Sequence, residues 1–320
     1  IGRADLLSQV SRGADHLDDL DLNPLLISVD GADRINYNRG RERNSVPDTL
    51  DREIVRDAAR FLNDGEKMQL SYAVQNTHRT VGTRTSSHIV QNFGMRNKLQ
   101  PDHLTVKLKG SAGQSLGAFA APGLKIEVAG DANDYVGKGL SGGIIVVRPP
   151  MASPLKASEN TIIGNTVLYG ATDGLLFAAG RAGERFAVRN SGAKVVVEGC
   201  GSNGCEYMTG GVAVILGSVG ANFGAGMTGG MAYIYDPNET ALEFLNMDSL
   251  VTCRVGSSVW EEQLCSLLKM HSEETSSQKA EEILQNWDTE KTKFLQICPK
   301  EMLDKLPHPL SYESDSIPAE

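Results

Sequence analysis

The hydrophobic residues in the middle of the chain recur in short runs at a nearly fixed spacing. Between residues 104 and 236, a five-residue apolar run recurs about every twenty residues, usually after a glycine, and its first, third and fifth positions are almost always apolar. This alternation is typical of a β-strand with one buried face. The seven predicted strands begin at Leu104, Leu124, Ile144, Leu175, Ala193, Val212 and Met231.

The spacing of these runs predicts how the strands are arranged. Successive starts are 20, 20, 31, 18, 19 and 19 residues apart, and the one long interval contains a proline-rich segment at 148–156 that we interpret as a loop. A period near twenty with no helix inside it predicts a mainly β fold, a β-solenoid of about seven coils stacked about 4.8 Å apart. Aligned in one register, Val195, Val214 and Tyr233 form an inward ladder.

Glycines occupy both ends of most copies of the repeat. Corners between strands need residues that adopt positive φ or that leave no room for a Cβ atom, and glycine meets both requirements. We therefore predict a structural role, and no catalytic one, for these glycines. They are Gly110, Gly123, Gly130, Gly143, Gly174, Gly180, Gly192, Gly199, Gly211, Gly217 and Gly230.

The segments on either side of the repeat are expected to close its ends, because a terminal coil exposes unpaired backbone groups and an apolar cross-section. Residues 1–100 are interpreted as a connector and an α/β cap, with a helix over 50–63, a strand over 68–74 and a short helix over 85–93. Residues 101–238 are the glycine-rich β-helix. Residues 239–320 are an acidic tail, with helical spacing over 260–270 and 278–287.

Composition narrows the function classes. The 320-residue chain has a net charge of −9, and residues 261–320 contain 13 acidic and 6 basic side chains, which argues against binding nucleic acid. No apolar run approaches the roughly 20 residues of a membrane span. Five sparse cysteines favour reduced thiols in an intracellular compartment, the cytoplasm or a plastid stroma. The first residue is isoleucine, so we expect a processed product, a trimmed chain or a piece of a longer protein.

Three segments match the dinucleotide-binding pattern G-x-G-x-x-G, at 137–142, 199–204 and 224–229. A nucleotide site needs a strand before the glycines and a helix N-terminus after them to hold the pyrophosphate. In this sequence a strand follows and no helix does. We therefore interpret these segments as corners of the repeat.

Two further motifs contain nucleophilic side chains. The segment 113–117 matches the G-x-S-x-G nucleophile elbow around Ser115, but no helix follows the serine. Cys200 and Cys205 lie in one glycine-rich loop with no histidine near them in sequence, whereas zinc takes four ligands or three and a water. Buried or idle thiols are the favoured interpretation.

Two polar clusters each allow two interpretations. The segment 76–88 contains His78, Arg79, Arg84 and His88. It is either an anion pocket or a loop ordered by polar contacts, and we favour the loop. Asp131 and Asp134 suit acid–base chemistry or Ca²⁺, but also simple turns, which we favour. The sequence thus predicts no catalytic, cofactor-binding or metal-binding residue.

The residues of the repeat carry a resemblance to a known family. Over residues 68–236 they resemble the C-terminal glycine-rich domain of the glutamate synthase large subunit, and 280–287 is similar to the final helix of that family. The segments that carry it are 110–117, 130–139, 163–172, 177–185, 203–211 and 222–230.

The resemblance implies a right-handed, single-stranded β-helix inside a much larger oxidoreductase. That enzyme makes two glutamates from glutamine and 2-oxoglutarate, with FMN, an iron–sulfur cluster and electrons from ferredoxin or NAD(P)H. Its amidotransferase cysteine, flavin pocket and cluster cysteines belong to other domains, so no cofactor is expected in this chain. The implied partners are the synthase and amidotransferase domains or other subunits of a larger complex.

Two functional hypotheses follow from the resemblance. In the first, the chain is a scaffold domain of a glutamate synthase, with no catalytic residue of its own. In the second, it is a stand-alone β-helix scaffold or adaptor subunit of another assembly without enzymatic activity, as a similar domain is in formylmethanofuran dehydrogenase. Residues 1–7 resemble the junction that leaves the synthase barrel and favour the first; the unusual segment 240–275 and the absence of catalytic domains favour the second.

Overall fold

One large mixed β-sheet flanked by helices organises the chain, as a computed structural model describing residues 48–310 shows. The sheet has twelve strands and is predominantly parallel, so the architecture is broadly α/β. Within residues 48–310, no helix is both long enough and apolar enough to cross a bilayer.

The elements are numbered here in chain order. The strands are β1 (Met68–Val74), β2 (Leu104–Ala112), β3 (Leu124–Ala132), β4 (Ser141–Arg148), β5 (Thr161–Ile163), β6 (Asp173–Ala178), β7 (Arg181–Ala182), β8 (Ser191–Val197), β9 (Thr209–Ile215), β10 (Gly229–Tyr235), β11 (Leu250–Arg254) and β12 (Phe294–Pro299). The α-helices are α1 (Leu50–Asp57), α2 (Ala59–Asp64), α3 (Thr83–Phe93), α4 (Ser258–Thr275), α5 (Gln278–Gln285) and α6 (Trp287–Glu290). Short 3₁₀ helices lie at Ala157–Glu159, Ala241–Phe244, Lys291–Lys293 and Lys300–Lys305.

The strand order of the sheet follows the repeat in the sequence. Strands β1, β2, β3, β4, β6, β8, β9 and β10 pair in that order, every pair parallel. All seven predicted strands are confirmed, and β1, which was expected in the cap, extends the same ladder. A second, shorter parallel ladder runs through Ala132, Ile163, Ala182 and Cys200.

The predicted register is wrong by one residue at three of the six steps between repeats. Lys125, not Leu124, is opposite Ile144, and Lys194, not Ala193, is opposite both Leu175 and Val212. The ladder shifts register near the start of β4, β8 and β10, so the glycine before a strand does not mark a constant position.

This shift separates the residues of the predicted inward ladder. Val195 pairs with Ala213, whereas Val214 pairs with Val196 and with Tyr233. A one-residue slip moves a side chain to the opposite face of a strand. Val195 therefore belongs to one hydrophobic core, and Val214 and Tyr233 belong to another.

The first core lies on one face of the sheet, and we call its row of paired residues the inner ladder. This row is apolar in every strand that contributes to it, and side chains from the turns between strands, such as Val136 and Phe186, complete the core. The inner ladder consists of Leu70, Val106, Ile126, Ile145, Leu176, Val195, Ala213, Ala232 and Ile297.

The opposite face changes character along the sheet. We call its row of paired residues the outer ladder: Ser71, Lys107, Glu127, Val146, Phe177, Val196, Val214 and Tyr233. The first three are polar, and the last five are apolar and at most 1% exposed. Helices α4 and α5 cover the apolar part with Leu264, Leu268 and Ile283. The second core thus exists only where the C-terminal helices lie.

The flanking segments match the predictions in part. The predicted helix at 50–63 is present as α1 and α2, interrupted at Ala58, and Gly65 ends α2 with φ 72°. The tail is not only helical, because β12 pairs antiparallel with β10 and with β11. Residues 1–47 of the predicted cap and 311–320 of the predicted tail lie outside the described residues.

Candidate functional site

Six turn segments, which we call corners, leave the ends of the strands with an unusual backbone. In each corner, three residues at alternate positions have φ between 53° and 74°. Only six of these eighteen positions are glycine, although a left-handed conformation is unfavourable for other residues. The corners are 115–119, 135–139, 166–170, 185–189, 203–207 and 222–226.

Hydrogen bonds explain why the left-handed conformation persists. In the corner at 135–139, the Tyr135 N–H donates to the carbonyl of Asn165 in the next repeat (2.8 Å). The middle residue, Gly137, donates instead to the carbonyl of Leu116 in the preceding repeat (2.9 Å). The N–H groups of the left-handed residues, two positions apart, thus point alternately toward the next and the preceding repeat. Each corner is therefore hydrogen-bonded to the chain segments on both sides of it.

The outer surface of these corners carries a cluster of aromatic and basic side chains, which we call the corner face. Its residues are Tyr135, Lys138, Tyr169, Arg185, Arg189 and Tyr207, and they surround a groove of about 610 Å³. The Lys138 ammonium lies 5.8 Å from the centre of the Tyr135 ring, and the Arg189 guanidinium lies 5.8 Å from that of Tyr169. These are cation–π distances.

The charges of the corner face are only partly compensated. Arg185 forms an ion pair with Glu206 (2.8 Å). Lys138 and Arg189 form no ion pair with any residue of 48–310. The groove therefore presents positive charge on a chain whose net charge is −9.

Glycines of neighbouring corners form the floor beneath two exposed aromatic rings at this surface. A Cβ atom added to Gly139 would lie 2.5 Å from the ring of Phe119, and one added to Gly226 would lie 2.6 Å from the ring of Tyr207. Gly170 has the same backbone conformation but nothing within 4 Å of its Cβ position. Glycine at 139 and 226 thus lets each ring lie directly against the backbone of the next repeat.

Comparisons with known proteins agree with these repeated corners. A family model described as the GXGXG motif matches residues 51–300. The chain belongs to this family. The predicted resemblance to the glycine-rich domain of glutamate synthase is thereby confirmed.

Curated relatives of this GXGXG chain are glutamate synthases. It is 62% identical, over 97% of its length, to the glutamate synthase [NADPH] large chain of Azospirillum brasilense. It is 43% identical over 85% of its length to the ferredoxin-dependent glutamate synthase of Pyropia yezoensis, and 40% identical over 94% to the glutamate synthase [NADPH] large chain of Bacillus subtilis. The chain spans 20%, 18% and 20% of these proteins, about a fifth of each.

Two of the dinucleotide-like segments coincide with corners of this GXGXG chain. Gly137 and Gly139 supply left-handed positions of one corner and Gly224 and Gly226 those of another, and β4 and β10 follow them. The helix N-terminus that a pyrophosphate site requires does not follow either segment. In the third segment, Gly201 and Gly204 have no positive φ, and a corner begins at 203.

Ser115 and the paired cysteines are held by the same architecture. Ser115 is the first left-handed residue of the first corner, where its N–H donates to the carbonyl of Asp134 (2.9 Å). Cys200 and Cys205 are fully buried, and burial raises the pKa of the Cys200 thiol to about 12 and that of Cys205 well above its ordinary value. Since metals and electrophiles react with the thiolate, these positions suit packing. Within residues 48–310, no three His, Cys, Asp or Glu side chains form a cluster that fits a metal ion.

An internal carboxylate contacts the polar segment at 76–88, for which an anion pocket was the less favoured interpretation. Asp51, in the first turn of α1, accepts hydrogen bonds at the start of α3 from the N–H of Arg84 (2.6 Å), the N–H of Thr85 (3.4 Å) and the Thr85 hydroxyl (2.5 Å). It also satisfies the positive end of the helix. The polar segment around Arg84 thus anchors α3 to α1, which supports the loop-ordering interpretation.

The two aspartates at 131 and 134 also have structural partners. Asp131 accepts a hydrogen bond from the Ser111 hydroxyl (2.5 Å), and Asp134 accepts one from the Asn165 N–H (2.8 Å). Both contacts join neighbouring repeats. The turn interpretation holds for Asp134, which lies in the turn after β3, but is wrong for Asp131, which lies within β3.

Two groups of residues escaped the sequence analysis. The corner face was missed because its members are separated by a whole repeat; aligning the corners instead of the strands would have placed Tyr135 and Arg185 at equivalent positions.

A buried polar cluster was also missed. Glu198, at the end of β8, accepts a hydrogen bond from Ser277 and lies 3.8 Å from Nε2 of His271 on α4. It joins the sheet to its covering helices.

Proposed function

We propose that this chain is a structural domain of a glutamate synthase and that it holds catalytic domains of the same polypeptide in place. The observation that carries the proposal is the 62% identity to a glutamate synthase large chain over 97% of this chain. The chain spans only about a fifth of that relative, so the catalytic machinery is assigned to the remaining four fifths.

We further propose that the parallel ladder is a right-handed, single-stranded β-helix over 101–238, closed by flanking segments at 1–100 and 239–320. Three features support it. Strands one repeat apart pair in parallel, a second short ladder runs through Ile163 and Ala182, and corners close the space between them. The inner core is lined by strands and corners together, as the interior of such a coil would be.

A structural role is supported by how the chemically reactive groups are used. Asp51 caps a helix, Ser115 lies in a corner, and Cys200 and Cys205 are buried with raised pKa values. In this proposal, the amidotransferase and synthase reactions, the flavin and the iron–sulfur cluster belong to the other domains.

The first test is the size and colour of the native protein. We expect the polypeptide purified gently from its source to be several times heavier than 34.4 kDa, to absorb as a flavin and iron–sulfur protein, and to form glutamate from glutamine and 2-oxoglutarate. A colourless protein of about 34 kDa without this activity would overturn the proposal.

The second test separates a scaffold from a catalytic domain. In the full-length polypeptide, Ser115→Ala, Cys265→Ala and His78→Gln should each leave kcat for glutamate formation unchanged. Val195→Asp, which buries a charge in the inner core, should lower the yield of folded enzyme and leave kcat per folded molecule unchanged. Loss of kcat in any of the first three variants, with the folded fraction intact, would show that this domain takes part in the chemistry.

A further inference from the structure

We infer that the corner face is the surface with which this domain docks onto a carboxylate-rich surface of another domain of the same longer polypeptide. The inference rests on the proposed function, because it takes the remaining four fifths of such a polypeptide as the source of the partner. It goes further in naming the face and the chemistry that the partner must present.

The first argument is the composition of the corner face. Three tyrosines, two arginines and a lysine surround one groove, and tyrosine and arginine are the residue types enriched at the energetic centres of protein interfaces. Tyr207 is 55% exposed, and Phe119, on the same edge of the corners, is also 55% exposed. Scattered exposed aromatic residues need no explanation, but a cluster of them with unpaired cations is typical of a binding surface.

The second argument is that this surface is already ordered. Every corner is hydrogen-bonded to the chain segments before and after it, and the rings of Phe119 and Tyr207 lie against Gly139 and Gly226. Arg189 and Lys138 lie at cation–π distances from tyrosine rings. Side chains held in one arrangement lose little freedom on binding, which favours docking.

The third argument is charge complementarity. Lys138 and Arg189 have no carboxylate partner within residues 48–310, although the chain is acidic as a whole. A partner that places carboxylates over the groove would neutralise them and orient the contact. Because the partner belongs to the same polypeptide, the effective concentration is high and a contact of modest intrinsic affinity suffices.

Zero-length cross-linking of the full-length polypeptide with a carbodiimide tests the contact directly. We expect Lys138 to cross-link to an aspartate or glutamate in a peptide outside residues 1–320 of this chain. Lys156, which is 77% exposed in the loop after β4, is the control and should not form that cross-link. A cross-link from Lys138 to a second copy of this chain or to a different polypeptide would overturn the inference, as would no cross-link at Lys138.

A matched pair of glycine variants tests the surface without changing charge. Gly139→Ala forces the Phe119 ring to move, whereas Gly65→Ala, at the end of α2, imposes a similar left-handed strain in open space outside the corner face. In the double variant with Lys138→Glu and Arg189→Glu, we expect at least tenfold faster amide hydrogen exchange in the corners and in the cross-linked partner peptide. Gly139→Ala should give a smaller increase there, and Gly65→Ala none. Equal exchange in all variants would overturn the inference.

The outcomes separate this inference from the proposed function. A polypeptide with flavin absorption and glutamate-forming activity but no Lys138 cross-link would retain the scaffold role and lose only the docking face. A Lys138 cross-link in a polypeptide without that absorption or activity would refute the proposed function, and the inference with it, because the partner would not belong to a glutamate synthase.

Discussion

The strands β1–β3 and the strands β4–β10 share one inner face and differ on the other. The inner ladder is apolar from Leu70 to Ile297, whereas the outer ladder is polar up to Glu127 and apolar from Val146 onward. The repeat therefore keeps only the inner face of the sheet apolar along its whole length. The outer face is apolar only where the C-terminal helices cover it.

The two regions also differ in what the outer residues contribute to stability. Lys107 and Glu127 form a partly exposed ion pair (3.7 Å), which contributes at most about 1 kcal/mol. Phe177 and Val214 are fully buried under α4 and α5, and each contributes about 1.5–3 kcal/mol. The β4–β10 region should thus depend on its helices much more than the β1–β3 region does.

The largest predicted effect comes from placing a charge at equivalent positions in the two regions. Val214→Asp buries an unpaired carboxylate under the helices and should lower the free energy of unfolding by about 4 kcal/mol or prevent folding. Lys107→Asp, on the same outer ladder, should cost less than about 1 kcal/mol, because its side chain is 42% exposed. Urea unfolding followed by circular dichroism measures both. Equal costs would show that the two regions do not differ.

A smaller effect should locate the boundary between the regions. Val146 and Glu127 are paired neighbours on the outer ladder, one on each side of the boundary. Val146→Ala should cost about 2 kcal/mol in free energy of unfolding, since about two methylene equivalents of buried surface are lost. Glu127→Ala should cost less than about 1 kcal/mol in the same denaturation experiment. A larger cost for Glu127→Ala would move the boundary toward β2.

The next prediction concerns the pH dependence of stability and the ion pair between Lys125 on β3 and Glu274 on α4. Burial opposes the charge on Lys125, but its hydrogen bonds and attraction to Glu274 (2.6 Å) and Glu127 (3.1 Å) outweigh burial and raise its pKa above 10.5. The positive charge therefore stabilises the fold fully below pH about 10, and this contribution is lost as the pH rises through the raised pKa.

Lys125→Met keeps the aliphatic stem and removes that charge. We expect it to lower the free energy of unfolding by about 1 kcal/mol at pH 7–9 and by less as the pH rises above 10.5. Lys107→Met, at a more exposed position, is the matched control and should show a smaller difference at every pH. A Lys125→Met difference that stays constant up to pH 12 would contradict the assignment.

The smallest effect leaves stability unchanged and tests access to the inner core. Cys200 and Cys205 lie inside that core with raised pKa values, whereas Cys265 on α4 is partly exposed. At pH 8, an aromatic disulfide reagent should label Cys265 readily and the two core cysteines only as fast as the protein unfolds. Labelling of Cys200 in the folded protein would show that the inner core is open.

The strands of the repeat could be predicted from the sequence, but only half of the registers between them could. Alternation identified every strand from β1 to β10 of the main parallel ladder, because the inner face is buried throughout. In β8 and β9 the outer face is also buried, so Val195 and Val196 look equally suited to the interior and the alignment slipped. Strands β5 and β7 were missed because they are only three and two residues long, too short to show alternation. Strands β11 and β12 were missed because their antiparallel partners depend on contacts between distant parts of the chain.

The candidate surface could not be predicted from single motifs. The glycines that the motifs emphasise have structural roles in the corners, where Gly137 and Gly139 supply left-handed positions. The residues that define the corner face, such as Lys138 and Arg189, are unremarkable one at a time. Only the stacking of repeats brings them to one groove.

The corners that hydrogen-bond in both directions also restrict how such a gene can change. A duplication of about twenty codons would add one complete repeat and lengthen the ladder by about 4.8 Å. Every corner would still be hydrogen-bonded on both sides. A shorter insertion within a corner would leave N–H groups without partners in two repeats. The extra residues between β4 and β5, from 149 to 160, lie outside the ladder, in which β4 still pairs directly with β6. Lineages should therefore differ by whole repeats or by such side loops.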